Sequence, residues 1–179
     1  MSRFLIRARG TDVQIADMNA FHLFQIGRAK TIKNFMQGAA QGLTISLFDY
    51  SYVIGSGKHQ QTIVQSVFVA LRAEMRLPSF SVRPKSFWDR IGHWFGTKDI
   101  EFESNAAFTK ACLVKGSDEV AIRAVFTDPL LDYLAAHPNV QLEGNGERLM
   151  FYRGARVKPE QIREFMAEGF AVLGLFPET

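Results

Sequence analysis

The stretch Gly42 to Leu71, GLTISLFDYSYVIGSGKHQQTIVQSVFVAL, constrains this chain more than any other. In its first arm Leu43, Ile45, Leu47, Asp49, Ser51 and Val53 alternate with Thr44, Ser46, Phe48, Tyr50, Tyr52 and Ile54. Successive strand side chains point to opposite faces, so these are two face sets, both partly apolar. In the second arm Ile63, Val67, Val69 and Leu71 stand opposite in parity to Thr62, Val64, Ser66, Phe68 and Ala70. β-branched and aromatic residues of this kind suit a pleated, half-buried surface. Gly55-Ser56-Gly57-Lys58-His59 lies between the arms, and its glycines supply the positive φ that a tight hairpin connection needs.

The Gly-Ser-Gly-Lys tetrad is also the ending of a phosphate-binding loop. That loop requires a glycine five residues before the Gly-Lys pair and a Ser or Thr after it. Tyr52 and His59 hold those positions, and a β-rich segment follows where a helix is needed. The tetrad therefore reads as a hairpin turn.

With 179 residues the chain is long enough for a full core, and it reads as a single domain over 1–179. Residues 1–20 can stand as an N-terminal appendage to it. A net charge of +3 is too small for a domain whose whole surface grips nucleic acid, so no nucleic-acid partner is expected. The single Cys112 excludes an intramolecular disulfide, and its neighbours Ala111 and Leu113 suggest a buried, inert thiol. No run reaches the apolar length of a membrane span, and MSRFLIRARGTD lacks the apolar core of a signal peptide. These features predict a cytoplasmic protein, with the inner face of the membrane as an alternative location.

Along the chain, Ser2–Gly10 alternates loosely and fits a short strand or a frayed helix end. Arg28–Gln37 reads as a strand, and Gly38–Gly42 as the turn into the hairpin. Phe80–Arg83 is extended and stopped by Pro84. Ser86 can then cap a helix, Phe87–Phe95, that ends at Gly96. Asp99–Glu103 alternates as a strand, and Ala111–Val114 is a second strand after an initial turn. Ser117-Asp118-Glu119 opens a helix with Val120, Ala121, Ala124 and Val125 as its buried stripe, and Asp128-Pro129 restarts another. Val140–Glu143 and Arg148–Tyr152 form a hairpin about Gly144-Asn145-Gly146. After Pro159, Ile162, Phe165, Met166, Gly169, Leu173 and Phe176 trace one apolar face of a final helix.

Three stretches resemble a family of uncharacterised bacterial proteins: Phe24-Gln-Ile-Gly-Arg28 with Asn34, Phe48-Asp-Tyr-Ser-Tyr52 leading to Gly55-Ser-Gly-Lys58 with Gln61-Thr62 and Gln65, and Leu77-Pro-Ser-Phe80. The segment Phe108–Val114, with Asp118-Glu119 and Arg123–Phe126, is similar in pattern to a related domain of unknown function. The resemblance implies one α+β unit from a bacterium. Members often carry transmembrane helices ahead of this domain, which implies work near a membrane. It brings no reaction and no catalytic residues.

Of the local constellations, Phe87–Phe95 is the most distinctive. Phe87, Trp88, Ile91, Trp94 and Phe95 make a wide apolar stripe, with Arg90 on the other side and Arg83 and Lys85 just upstream. Aromatics beside basic residues form membrane-surface helices; an ordinary core helix is the plainer reading and the favoured one. His22, His59, His93 and His137 are scattered without metal-like spacing, so neither a metal nor a cofactor is expected. Asp99, Glu101 and Glu103 share one strand face, which more often deters aggregation than binds a cation. Asp49 sits inside an otherwise apolar strand and needs a partner. It is a candidate functional carboxylate, although a structural ion pair is the simpler role.

The whole predicts an α+β domain: an antiparallel sheet on the long central hairpin, with short helices and a C-terminal amphipathic helix packed on it. The function expected first is non-enzymatic binding of a protein partner through a sheet edge or exposed face. The alternatives are a membrane surface, met by Trp88, Trp94, Arg83, Lys85 and Arg90, and an enzyme with a site near Asp49 and His59.

Overall fold

The computed structural model describes residues 7–8, 18–87 and 98–177. Its centre is the expected hairpin. β3 (Leu43–Ile54) and β4 (Gln61–Arg72) pair without a register break from Leu43↔Arg72 to Ile54↔Gln61. The glycine-rich connection holds a short 3-10 turn at Gly57–His59.

Seven further strands join the hairpin: β1 (Arg7–Ala8), β2 (Arg28–Ala40), β5 (Leu77–Pro84), β6 (Lys98–Ile100), β7 (Cys112–Gly116), β8 (Gln141–Gly146) and β9 (Arg148–Tyr152). The described strands form one sheet in the order β1-β2-β3-β4-β9-β8-β5-β7-β6. Every pairing is antiparallel. The β8–β9 hairpin therefore inserts between β4 and β5, which are neighbours in the chain. Helices are few and short: α1 (Ala106–Ala111), α2 (Glu119–Val125), α3 (Asp128–Ala136) and α4 (Ile162–Leu173). The architecture is thus sheet-dominated, not a balanced α+β fold. Among the described residues no helix is long and apolar enough to cross a membrane.

Several local expectations shift. β2 runs on through Ala40, and the turn narrows to Gln41 and Gly42, whose φ angles are +52° and +75°. A two-residue turn with positive φ at both positions matches the twist of the strands it joins. Pro78 does not end the ladder but sits inside β5, where the register with β8 shifts between Leu77 and Phe80; a bulge tolerates a missing donor. Residues 106–111 are helical, capped by the Asn105 side chain, which accepts from the Phe108 N–H. In α2 the expected stripe fails: Val120 is 81% exposed, Ile122 is the helix's buried residue, and Phe126 is buried just beyond its end. β6 stops at Ile100, so the three acids do not share a strand face. Asp99 pairs with Lys115 and Glu101 with Lys85. Of the expected aromatic helix, Lys85–Phe87 is helical, and Trp88, Arg90 and Trp94 lie outside the described residues.

The sheet buries both faces. One carries Ile45, Leu47, Phe68, Phe80, Leu142 and Phe151 beneath the helices. The other carries Phe35, Phe48, Tyr50, Tyr52 and Val67 beneath Met18, Phe21, Leu23 and Phe24 of the N-terminal segment. This explains why both parities of β3 are apolar.

α4 lies against β4 through Gly169. A Cβ there would stand 2.8 Å from the Phe68 ring, which is itself fully buried. Gly169→Ala gains about 1 kcal/mol of helix propensity. Overpacking a filled contact costs about 1–3 kcal/mol. Urea denaturation of the variant should therefore show no gain, and a net loss of up to about 2 kcal/mol, despite the better helix former.

Candidate functional site

Asp49 is the carboxylate that the sequence singles out, and three partners hold it. It accepts from Asn34 Nδ2 at 2.7 Å, Ser66 Oγ at 2.6 Å and Arg156 Nε at 2.9 Å. Ser66 stands opposite Asp49 in the β3–β4 register, and its Oγ also accepts from the Val157 N–H. The group ties the connection after β9 to the hairpin. Beside it opens a cleft of about 310 Å³ with a floor of Met36, Leu47, Ile162 and Phe165. His59 is remote from it. Asp49 lies five positions inside the end of β3 at Ile54, about 17 Å at roughly 3.4 Å per residue. His59 sits beyond that end, exposed in the turn. The two are not brought together as an acid–base pair.

The densest polar cluster is elsewhere. Arg83 of β5, Glu143 of β8 and Tyr152 of β9 project from the face that the N-terminal segment covers. Arg83 and Glu143 form an ion pair with side-chain exposures of 0% and 2%. The Tyr152 hydroxyl donates to Glu143 Oε1 at 2.7 Å. The backbone N–H groups of His22 (2.6 Å, to Oε2) and Leu23 (3.1 Å, to Oε1) donate to the same carboxylate. A buried carboxylate is tolerable only when its lone pairs are met by donors, and here they are. Burial holds Tyr152 well above the usual phenol range, so it keeps the proton that it donates. The Arg83 guanidinium also lies over the rings of Phe87 (4.4 Å) and Tyr152 (5.4 Å).

This placement corrects one expectation. Arg83 cannot touch a membrane or partner surface, because it is wholly buried as the counter-ion of Glu143. Lys85 stays at the surface, 41% exposed and 3.6 Å from Glu101. The cluster itself escaped sequence reading. Arg83 and Glu143 are 60 positions apart, and nothing local in the sequence joins them.

The cluster also fixes the state of His22. Burial, reinforced by the Arg83 and Lys115 charges, lowers its pKa to about 3. Burial pushes the Cys112 thiol up to about 11, which agrees with an inert cysteine. Among the described residues no group of His, Cys, Asp and Glu is placed to hold a metal ion.

The outer edge of the sheet is the other feature of note. β1 covers β2 only at Met36 and Gln37. From Arg28 to Phe35 the outer edge of β2 has no strand partner among the described residues. Lys30 and Lys33 are exposed there, between positive-φ residues Ala29 (+51°) and Asn34 (+53°). The same end of the hairpin extends past β9, whose pairing with β4 begins at Val67. Its helix-side face is bare at Thr62 and at Val64, which is 41% exposed.

Comparison with known proteins finds no matching family, no matching curated protein and no matching solved structure.

Two expectations follow for the buried cluster. Glu143→Ala leaves Arg83 charged and unmatched, and should cost about 3–5 kcal/mol in denaturant unfolding. The double change Arg83→Met/Glu143→Leu removes both charges and should recover much of that loss. His22 has a folded pKa below its unfolded value near 6.5, so below that pH the unfolded chain binds the extra proton. Its contribution to stability is therefore full above pH 6.5 and falls as pH drops towards 3, by at most about 1.4 kcal/mol per unit. Unfolding free energies measured between pH 7 and 4 should fall less steeply for His22→Asn than for the parent chain.

Proposed function

We propose that the chain is a non-enzymatic interaction module that takes an extended, acidic segment of a protein partner along the outer edge of β2. The observation that carries this reading is the edge from Arg28 to Phe35, which has no strand partner among the described residues. An exposed edge offers a row of backbone donors and acceptors to which an extended peptide can add as a further strand. Natural sheets normally guard such an edge with lysines and bulges. Both are present, so a neutral strand meets two cations with nothing to balance them. A segment carrying Asp or Glu at alternate positions balances Lys30 and Lys33. Lys30 is tethered through its Nζ to the Phe24 carbonyl at 2.6 Å, which leaves Lys33 as the more available charge.

Support for an enzyme is weaker, because Asp49 is occupied by three structural hydrogen bonds and stands far from His59. The membrane-surface reading rests on the helix at 87–95, where the sequence places Trp88, Arg90 and Trp94. On the proposed reading the protein works in the cytoplasm; the uncharacterised bacterial family that it resembles, whose members often carry transmembrane helices, favours a place near the membrane.

The test is a titration of isotope-labelled protein with a synthetic extended peptide of alternating Val and Glu, and with its Val–Lys counterpart. The Val–Glu peptide should shift the amides of Thr31 to Lys33 saturably. Lys30→Glu/Lys33→Glu should weaken that binding at least about tenfold, and added salt should weaken it too. No shift with either peptide sinks the proposal. Sedimentation with anionic vesicles, abolished in a still-folded Trp88→Ala/Trp94→Ala variant, would replace it with the membrane reading.

A further inference from the structure

The cleft of about 310 Å³ beside Asp49 lies on the helix-side face of β2 and β3. A bulge shapes one wall. Between the pairs Lys33↔Asp49 and Met36↔Leu47, β2 carries one residue more than β3, with Asn34 at φ +53°. Such a bulge bends the strand and re-aims its side chains. The connection after β9 forms another wall. It is pinned to β4 at Ser66, whose N–H donates to the Ala155 carbonyl and whose Oγ accepts from the Val157 N–H. Pro159 and the first turn of α4, with Ile162 and Phe165, complete the lining. Strand pairing and backbone bonds thus hold the cleft open without a ligand.

The lining divides into an apolar body and a polar end. Met36, Leu47, Val157, Ile162 and Phe165 make the body. Asn34, Asp49, Ser66 and Arg156 make the polar end, and hydrogen bonds join all four. Asp49 accepts from Asn34 Nδ2, Ser66 Oγ and Arg156 Nε. Its charge is therefore met by three donors. Arg156 gives only its Nε to that contact. Its two Nη groups have no partner among the described residues, and the side chain is 58% exposed. The Nε bond to Asp49 anchors the guanidinium at the polar end of the lining, next to the apolar body. A guanidinium with its outer fork open takes a carboxylate through two parallel N–H···O bonds.

We infer that this cleft binds a small amphiphilic carboxylate, meaning one carboxylate on a short apolar chain. The ligand carboxylate accepts from the Arg156 Nη groups, and the chain lies over Met36, Leu47, Ile162 and Phe165. The guanidinium then stands between two carboxylates, the inner one structural and the outer one exchangeable. The outer one is on the solvent side, where water and salt screen it from Asp49. At about 310 Å³ the cleft is at the small end of ligand sites, which suits a medium-length chain and not a long one. This binding does not rest on the strand addition proposed for the β2 edge.

The probes are octanoate, octanol and octylamine, which share one chain and differ in head-group charge. The readout is the methyl resonances of Leu47, Val157 and Ile162 in the whole chain. Octanoate should move all three saturably at millimolar concentration, where it forms no micelles. Octanol should bind at least about tenfold more weakly, because it forgoes a charge-assisted bidentate pair. Octylamine should bind more weakly still, since its charge meets that of Arg156. Arg156→Gln should weaken octanoate at least about tenfold and leave octanol unchanged. Arg156→Lys should recover only part of that loss, because an ammonium lacks the fork. The series on the parent chain decides the matter even if a variant folds poorly. The inference is overturned if octanoate moves none of these methyls. It is equally overturned if octanol binds as well as octanoate, which makes the cleft merely apolar, or if octylamine binds best, which makes Asp49 the recognising group. The peptide titration reads Thr31 to Lys33 and its variants leave Arg156 in place, so either proposal can fail without the other.

Discussion

One buried carboxylate sets the terms for the covered face of this sheet. Glu143 has no route to water, so all its stabilisation must come from fixed donors. These arrive from a guanidinium on β5, a phenol on β9 and two backbone N–H groups of the N-terminal segment. The donors are held in place by three different parts of the chain. The N-terminal segment cannot lift away without stripping the carboxylate of two donors, and β5 cannot slip in register without separating the ion pair. A buried ion pair is weak evidence for net stability, but breaking one member of it is expensive. Its physical consequence here is to fix one arrangement of four segments.

Around that point the sheet solves a packing problem that a single-faced sheet does not meet. Both parities of the central hairpin are apolar, so both faces need cover. The helices supply it on one side, where the ring of Phe68 meets the bare backbone of Gly169. On the other side the cover is a few turns of chain, with the short helical turn His22–Phe24 fully buried. The helix-side face is exposed at the far end of the hairpin, at Thr62 and Val64, while Tyr52 on the opposite face stays buried. On the proposed reading that end carries what a partner uses: a β2 edge with no strand partner among the described residues, beside exposed Val64.

Much of the fold was legible in the sequence because its signals were local. Alternation over Leu43–Ile54 and Gln61–Arg72 set the hairpin, and the glycines set its turn. The β8–β9 hairpin was equally clear. The spacing of Ile162, Phe165 and Gly169 marked the apolar face of the final helix. Errors came where a local rule had two solutions. Asn105–Lys115 reads as a turn and then a strand from Ala111, but the Asn105 cap and buried Phe108 make residues 106–111 helical. Val120 satisfied a helical stripe on paper, but α2 is only seven residues long, and Ile122 takes the buried position.

The candidate sites were less legible for a different reason. Asp49 could be flagged, since a carboxylate among aromatics demands a partner, but Asn34, Ser66 and Arg156 could not be named as those partners. Arg83 read as a surface cation beside aromatic residues, and Glu143 only as the last residue of a strand. What the sequence by itself determined is the set of strands, their alternation and the need for cover on both faces, because period and turn chemistry act over a few residues. Only the tertiary structure decided that β8–β9 enters between β4 and β5. That insertion sets Glu143 against Arg83, because the charges of distant strands acquire partners only when the register of the whole sheet is set.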